Sequence, residues 1–232
     1  MPRNYLKSSF HLICLIFLSI LGFLELIYIF FPVLIVYLLS LFFFRKSSSI
    51  YEENLADRPR RFVFSPLNAR VGGVYKNQNH AIFGRNLQAI KLILPWWKEP
   101  GIFLPFDGEI KDLFRKEKRS FWRYSRKISP FQEHVILSSF CLSLQSKWGD
   151  IVGIQFFKCP TGSWPELIVM PGDTGRARVN IGFIPFGGSA LLYLPEKYEI
   201  LVNIGDDLMA GESVLARSEN RETDLVAQEG LS

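Results

Sequence analysis

The chain has 232 residues and a mass of 26.7 kDa, is 48% hydrophobic, carries 21 Phe and has a net charge of +5. That length suits one compact domain with appendages. The apolar content excludes a disordered chain, and only three cysteines exclude a disulfide scaffold.

The hydrophobic residues are unevenly spread. From Phe10 to Phe44 the sequence contains a single charge, Glu25. A bilayer core takes about 20 apolar residues per helical span, so this run accommodates one long tilted helix or two short ones. Glu25 and Pro32 favour a break, since a central carboxylate is costly in hydrocarbon and proline removes a backbone donor. Arg3 and Lys7 precede the run and Arg45 and Lys46 follow it, so both flanks carry the positive charge of cytoplasmic loops. No small-residue cleavage pattern follows, which disfavours a signal peptide. Residues 1–46 are therefore expected to be a membrane anchor, a transmembrane helical hairpin, with the rest of the chain on the cytoplasmic side of the cell membrane.

A polar linker follows over residues 47–61, and from Phe62 the pattern turns to short strands separated by Gly and Pro. Candidates are 62–64, 71–75, 89–94, 135–145, 151–157, 166–170, 181–185, 190–194 and 199–203, the signature of a mainly β domain over 62–217. Lys111 to Lys127 interrupts it with basic residues interleaved with Phe114, Phe121, Trp122 and Tyr124. Such a stretch can grip nucleic acid, but beside a membrane anchor it suits anionic lipid better, so no nucleic-acid partner is expected. It also reads as an ordinary solvated face. An acidic tail closes the chain over 218–232. Cys14, Cys141 and Cys159 have no CxxC spacing, and His11, His80 and His134 are far apart, so no metal centre is expected.

A short repeat shapes the fold. Val169-Met-Pro-Gly172-Asp173 is echoed by Val202-Asn-Ile-Gly205-Asp206, each followed by a strand-like segment. A strand, a Gly-Asp turn and a returning strand is the half-unit of a β-sandwich of lipoyl or biotinyl type. Neither turn carries the lysine a swinging-arm carrier needs.

Between the two copies lies Phe186-Gly187-Gly188-Ser189. The run from Pro171-Gly-Asp173 through these residues to Ile204-Gly-Asp206 and Ala210-Gly-Glu-Ser-Val-Leu-Ala216 resembles the C-terminal part of the phosphatidylserine decarboxylases, in their short bacterial and archaeal form. Upstream, the hairpin ending at Arg45 and the segment Phe62-Val-Phe-Ser-Pro66 follow the order of that family's anchor and its Ser-Pro-Ala-Asp-Gly segment. The resemblance implies that Ser189 is the serine before which the chain cuts itself and which becomes a pyruvoyl cofactor. An N→O acyl shift, β-elimination and hydrolysis would leave a β chain of 1–188 and an α chain of 189–232. The ketone would form a Schiff base with the amine of a membrane phospholipid and take up the carbanion left by CO₂, giving phosphatidylethanolamine. Gly187 and Gly188 are expected to provide the bend that sets the hydroxyl against the preceding carbonyl.

The sequence departs from the family where protons must move. In one register Ser65-Pro-Leu-Asn68 aligns with the Asp segment, so the catalytic Asp is an Asn, and the region of the catalytic His is Leu94-Pro-Trp-Trp-Lys-Glu-Pro100, without His. In a second register Leu104-Pro-Phe-Asp107-Gly supplies the Asp and Ser129-Pro-Phe-Gln-Glu-His134 the His. Asp107 and His134 are thus the candidate acid-base pair. Two functions stay open: a pyruvoyl-dependent decarboxylase, or an uncleaved, inactive membrane-tethered relative with a lipid-binding or scaffold role. A homo-oligomer is open in either case.

Overall fold

The computed structural model describes residues 8–43, 61–117, 138–157 and 164–218. Two helices come first, α1 (Ser8–Phe23) and α2 (Ile27–Phe43). They form a hairpin whose inner seam is His11, Cys14, Leu18 and Leu21 against Phe30, Val33, Leu34 and Tyr37, with His11 Nδ1 3.2 Å from the Tyr37 hydroxyl. That spacing of three and four residues is the narrow stripe of two helices packed side by side. The break falls at Glu25. Its φ is 54°, Leu26 donates to the Leu21 carbonyl and Glu25 to that of Gly22, which is a Schellman cap with a non-glycine residue in the left-handed position. Pro32 does not break the chain and lies inside α2. The outer faces, including Ile13, Ile16, Ile20, Phe31, Ile35 and Leu39, are apolar and exposed. With 16 and 17 residues the helices are about 24–26 Å long at about 1.5 Å per residue. Among the described residues no helix is both long and apolar enough to cross a membrane, so the expected transmembrane spans are not seen there.

The remainder is mainly β, as the strand pattern predicts. Its described strands are β1 (Arg61–Phe64), β2 (Arg70–His80), β3 (Gly84–Leu94), β4 (Gly101–Phe103), β5 (Gly108–Glu117), β6 (Ser138–Ser146), β7 (Ile151–Phe157), β8 (Glu166–Leu167), β9 (Thr174–Gly175), β10 (Asn180–Phe183), β11 (Gly188–Pro195), β12 (Tyr198–Ile200) and β13 (Val214–Ser218). They make a seven-stranded antiparallel sheet, β2-β3-β11-β7-β6-β5-β9, and two three-stranded sheets, β1-β13-β12 and β4-β10-β8. β5 is not legible as a strand in the sequence, because a bulge between Ile110 and Asp112 shifts its alternation by one residue.

The short repeat seen in the sequence is one corner of a larger duplication. β1, β2, β3, β11, β12 and β13 form one half; β4, β5, β6, β7, β8 and β10 form the other, inserted between β3 and β11. The halves match in register. The bulge in β5 has a counterpart between Val71 and Gly73 of β2, and Ile200↔Ala216 corresponds to Leu167↔Gly182. They meet at the β7–β11 pair, where Leu192 faces Ile154 and the pair Leu191↔Gln155 repeats as Tyr193↔Gly153. At the crossing point Phe64 donates to the Pro105 carbonyl and Phe103 to that of Pro66.

One core joins all three sheets. Val71, Ile90, Leu92, Ile110, Leu142, Leu144, Ile154 and Leu192 line the inner face of the large sheet, against Val63, Ile102, Ile181 and Ala216 from the small ones. A second, smaller cluster sits on the outer face, where the β2–β3 turn folds Phe83 onto Gly153; a Cβ on Gly153 would lie 2.3 Å from the Phe83 ring. His80 stacks on Phe83 with ring centroids 4.3 Å apart and is 8% exposed. Its Nδ1 accepts the backbone N–H groups of Ile82 and Phe83, leaving the proton on Nε2.

Burial pushes the His80 imidazole down from 6.5 to about 4. The folded protein keeps the ring neutral down to about pH 4, whereas the unfolded chain takes up a proton near pH 6.5. Its contribution to stability is therefore intact above pH 6.5 and is lost as pH falls towards 4. Urea midpoints across that window should fall with acid in the native sequence and fall less in His80→Phe, whatever that variant's stability at neutral pH.

Candidate functional site

Ser189 is the second residue of β11. It faces Ile93 of β3, which in turn faces Arg70, the first residue of β2. Residues directly opposite in antiparallel strands share a face, so Ser189, Ile93 and Arg70 form one row across three strands. The chain reaches β11 through a bend at Phe186 and Gly187, with φ of 58° and 74°. A Cβ on Gly187 would lie 2.6 Å from the Leu94 carbonyl oxygen, which explains glycine at that position. The bend was expected at Gly187 and Gly188, but Gly188 is not left-handed and already pairs with Leu94 in the ladder. The Gly188–Ser189 peptide therefore runs as ordinary extended strand.

The same end of the sheet gathers residues from distant parts of the chain. Arg70 Nε donates to the Gly205 carbonyl at 3.0 Å, and Lys98 pairs with Asp207 at 2.8 Å. The Lys98 ammonium, through its hydrogen bond and its charge, holds the Asp207 carboxyl below the usual range, with Arg70 adding to it. Trp96 and Trp97 stand on the connection out of β3, their rings edge to face 5.6 Å apart. Arg70, Trp96, Trp97, Lys98 and Asp207 were not picked out by reading the sequence. The Trp-Trp pair between Pro95 and Pro100 is visible there, but nothing in it announces that Asp207 joins it.

Asn68 lies two residues before Arg70, at this end. Its Oδ1 accepts the Ala210 N–H at 2.9 Å. Asp107 does the same in the other half: its Oδ1 accepts the Ala177 N–H at 2.7 Å, and Oδ2 pairs with Lys147 at 3.3 Å. The surrounding backbone bonds match as well. Gly205 donates to the Val71 carbonyl and Val71 to that of Asp206; Gly172 donates to the Ile110 carbonyl and Ile110 to that of Asp173. Asp206 and Asp173 each accept the N–H three residues back, from Asn203 and Met170. Asn68 and Asp107 are thus equivalent positions of a duplicated unit, each clipping the loop that follows a Gly-Asp turn. This is why both segments resemble one family motif.

Equivalence also places them at opposite ends. Ser189 lies at the Phe157 end of β7, one residue beyond the Ala190↔Phe156 pair, while Gly108 faces Ser146 at the Ile151 end. Three strand spacings and about seven residues along the strand separate Ser189 from Asp107, roughly 27 Å from strand dimensions. The structure does not bring Asp107 and Ser189 together. Asp107 instead lines a shallow groove of about 480 Å³ with Glu109, Gln145, Lys147 and Thr174. His134 lies outside the described residues, as do Cys159, most of the linker, the acidic tail and most of the basic-aromatic stretch. Among the described residues no cluster of His, Cys, Asp and Glu could hold a metal ion.

Among the described residues, neither Asn68 nor Asp107 is placed to serve as the base for converting Ser189 to a pyruvoyl group. An N→O shift needs the hydroxyl turned onto a strained preceding carbonyl and a group to take its proton. The bond is in regular ladder, the amide of Asn68 is no base and is committed to Ala210, and Asp107 is at the far end.

No family model matches the chain. A 48-residue stretch, 21% of the chain and 22% of the relative, is 46% identical to a phosphatidylserine decarboxylase proenzyme of Oleidesulfovibrio alaskensis. A 45-residue stretch, 19% of the chain and 20% of the relative, is 47% identical to one of Ruegeria pomeroyi. The similarity thus spans about a fifth of these curated relatives, and it points to that family over a fifth of the chain.

If the clip is the role of position 68, Asn68→Ala leaves the Ala210 N–H without its acceptor and costs about 1–3 kcal/mol. Asn68→Asp should fall well within 1 kcal/mol of the native sequence, as Asp107 already does this work with a carboxylate. Urea denaturation of the two variants checks both.

Proposed function

We propose that this chain is a membrane-anchored relative of the phosphatidylserine decarboxylase proenzymes that stays uncleaved and binds aminophospholipid head groups without decarboxylating them. The observation that carries this reading is the duplicated clip. A polar residue at position 68 has a structural task that an amide performs as well as a carboxylate, so the position keeps its place in the fold while its proton chemistry is gone. Support for the anchor comes from the α1–α2 hairpin, whose outer faces expose Ile, Leu and Phe that water would penalise. Helices of this length suit a hairpin seated in the membrane with both basic flanks on the cytoplasmic face, which would put the β body there too.

A second reading is the active decarboxylase, with Ser189 cleaved and decarboxylating phosphatidylserine. One observation favours it: the matched relatives are proenzymes.

Intact mass of the full purified chain separates the two. One species at 26.7 kDa is expected. A fragment beginning at a blocked residue 189, lost in Ser189→Ala, would establish the enzyme instead. Cleavage appearing only in Asn68→Asp would identify the missing carboxylate as the cause.

A further inference from the structure

The two ends of the large sheet are equivalent by duplication, yet their surfaces have diverged. At the Asp107 end the β6–β7 connection is a four-residue turn carrying one Trp, Trp148, with the Lys147 ammonium 4.7 Å from its ring centroid. Gln145 occupies the place that Ile93 holds in the other half, and the groove beside it is lined by Asp107, Glu109 and Lys147. The groove is lined by polar residues, with Ile151 exposed beside it, and it carries no pair of exposed indoles among the described residues.

At the Ser189 end the corresponding connection leaves β3 through Trp96 and Trp97, 57% and 59% exposed, with Phe186 and Ile93 exposed beside them. Ile93 leans across β2, where a Cβ on Gly72 would lie 2.6 Å from its Cδ1. Charges of both signs stand here: Arg70 and Lys98, with Glu99 beside Lys98 and Asp206 and Asp207 in the turn that Arg70 reaches. β5 also finishes at this end, where Glu117 pairs with Ser138 next to the Ser139↔Phe157 pair.

From this asymmetry the geometry points to the Ser189 end, through Trp96, Trp97 and Ile93, as the surface by which the β body docks onto a lipid bilayer, while the Asp107 end faces water. Indole rings are the side chains that sit at the boundary between head groups and hydrocarbon. The occupant is a lipid surface because the chain carries its own apolar hairpin. The 17 residues between α2 and β1 reach at most about 60 Å, which keeps the β body beside whatever holds that hairpin. This inference rests on reading the hairpin as a membrane anchor.

The test uses the full chain with vesicles of phosphatidylcholine and phosphatidylglycerol, the former brominated on its acyl chains to quench nearby indoles. Most of the quenching should vanish in Trp96→Phe/Trp97→Phe and persist in Trp148→Phe. Both Trp variants should still float with the vesicles, since the hairpin is untouched. A protein that floats while its quenching ignores the loss of Trp96 and Trp97 overturns the docking surface and leaves the anchor standing. A protein that does not float overturns both.

Discussion

Everything about the β body hangs on a backbone exchange made twice. Val71 and Ile110 each give their N–H to the aspartate of a Gly-Asp turn and take an N–H from the glycine before it. Gly205 and Gly172 hold positive φ, 99° and 93°, so the turn can present both groups to the same strand. Each exchange pins a strand start against a loop more than sixty residues or a hundred residues away, and buried backbone groups left unpaired there would be costly. The reciprocal bonds of Phe64 with Pro105 and Phe103 with Pro66 then lock the halves to each other.

Duplication sorts the chemistry as well as the fold. Once Asn68 and Asp107 are seen to accept equivalent N–H groups, a carboxylate at 107 no longer reads as a displaced catalytic residue. It is the ordinary occupant of its own half, paired with Lys147 and distant from Ser189. The half that holds Ser189 has an amide in that place and has gathered Arg70, Lys98, Asp207 and two tryptophans around the row leading to the serine.

Much of the architecture was legible along the chain. The short alternating segments between Gly and Pro predict the β body, and β3, β7, β10 and β11 lie where the pattern puts them. β5 was hidden because its bulge moves the alternation onto the other face after Ile110, and because its lysines and arginines read as a lipid-binding stretch. Glu25 marks the helix break; Pro32 does not, since a proline one and a half turns into a helix removes a single hydrogen bond and can be carried within the helix.

The sequence by itself determined the apolar hairpin, the β class, the paired Gly-Asp turns and the presence of Phe186-Gly187-Gly188-Ser189. These are set by hydropathy, periodicity and the backbone freedom of glycine, which act over a few neighbouring residues. Only the tertiary structure decided that the left-handed bend lies at Phe186 and Gly187, that Asn68 and Asp107 are the same position in two halves, and that Asp107 and Ser189 sit at opposite ends of a sheet. Those facts depend on strand order and register, through pairings between residues tens of positions apart, and no local pattern encodes which distant strand a segment will meet.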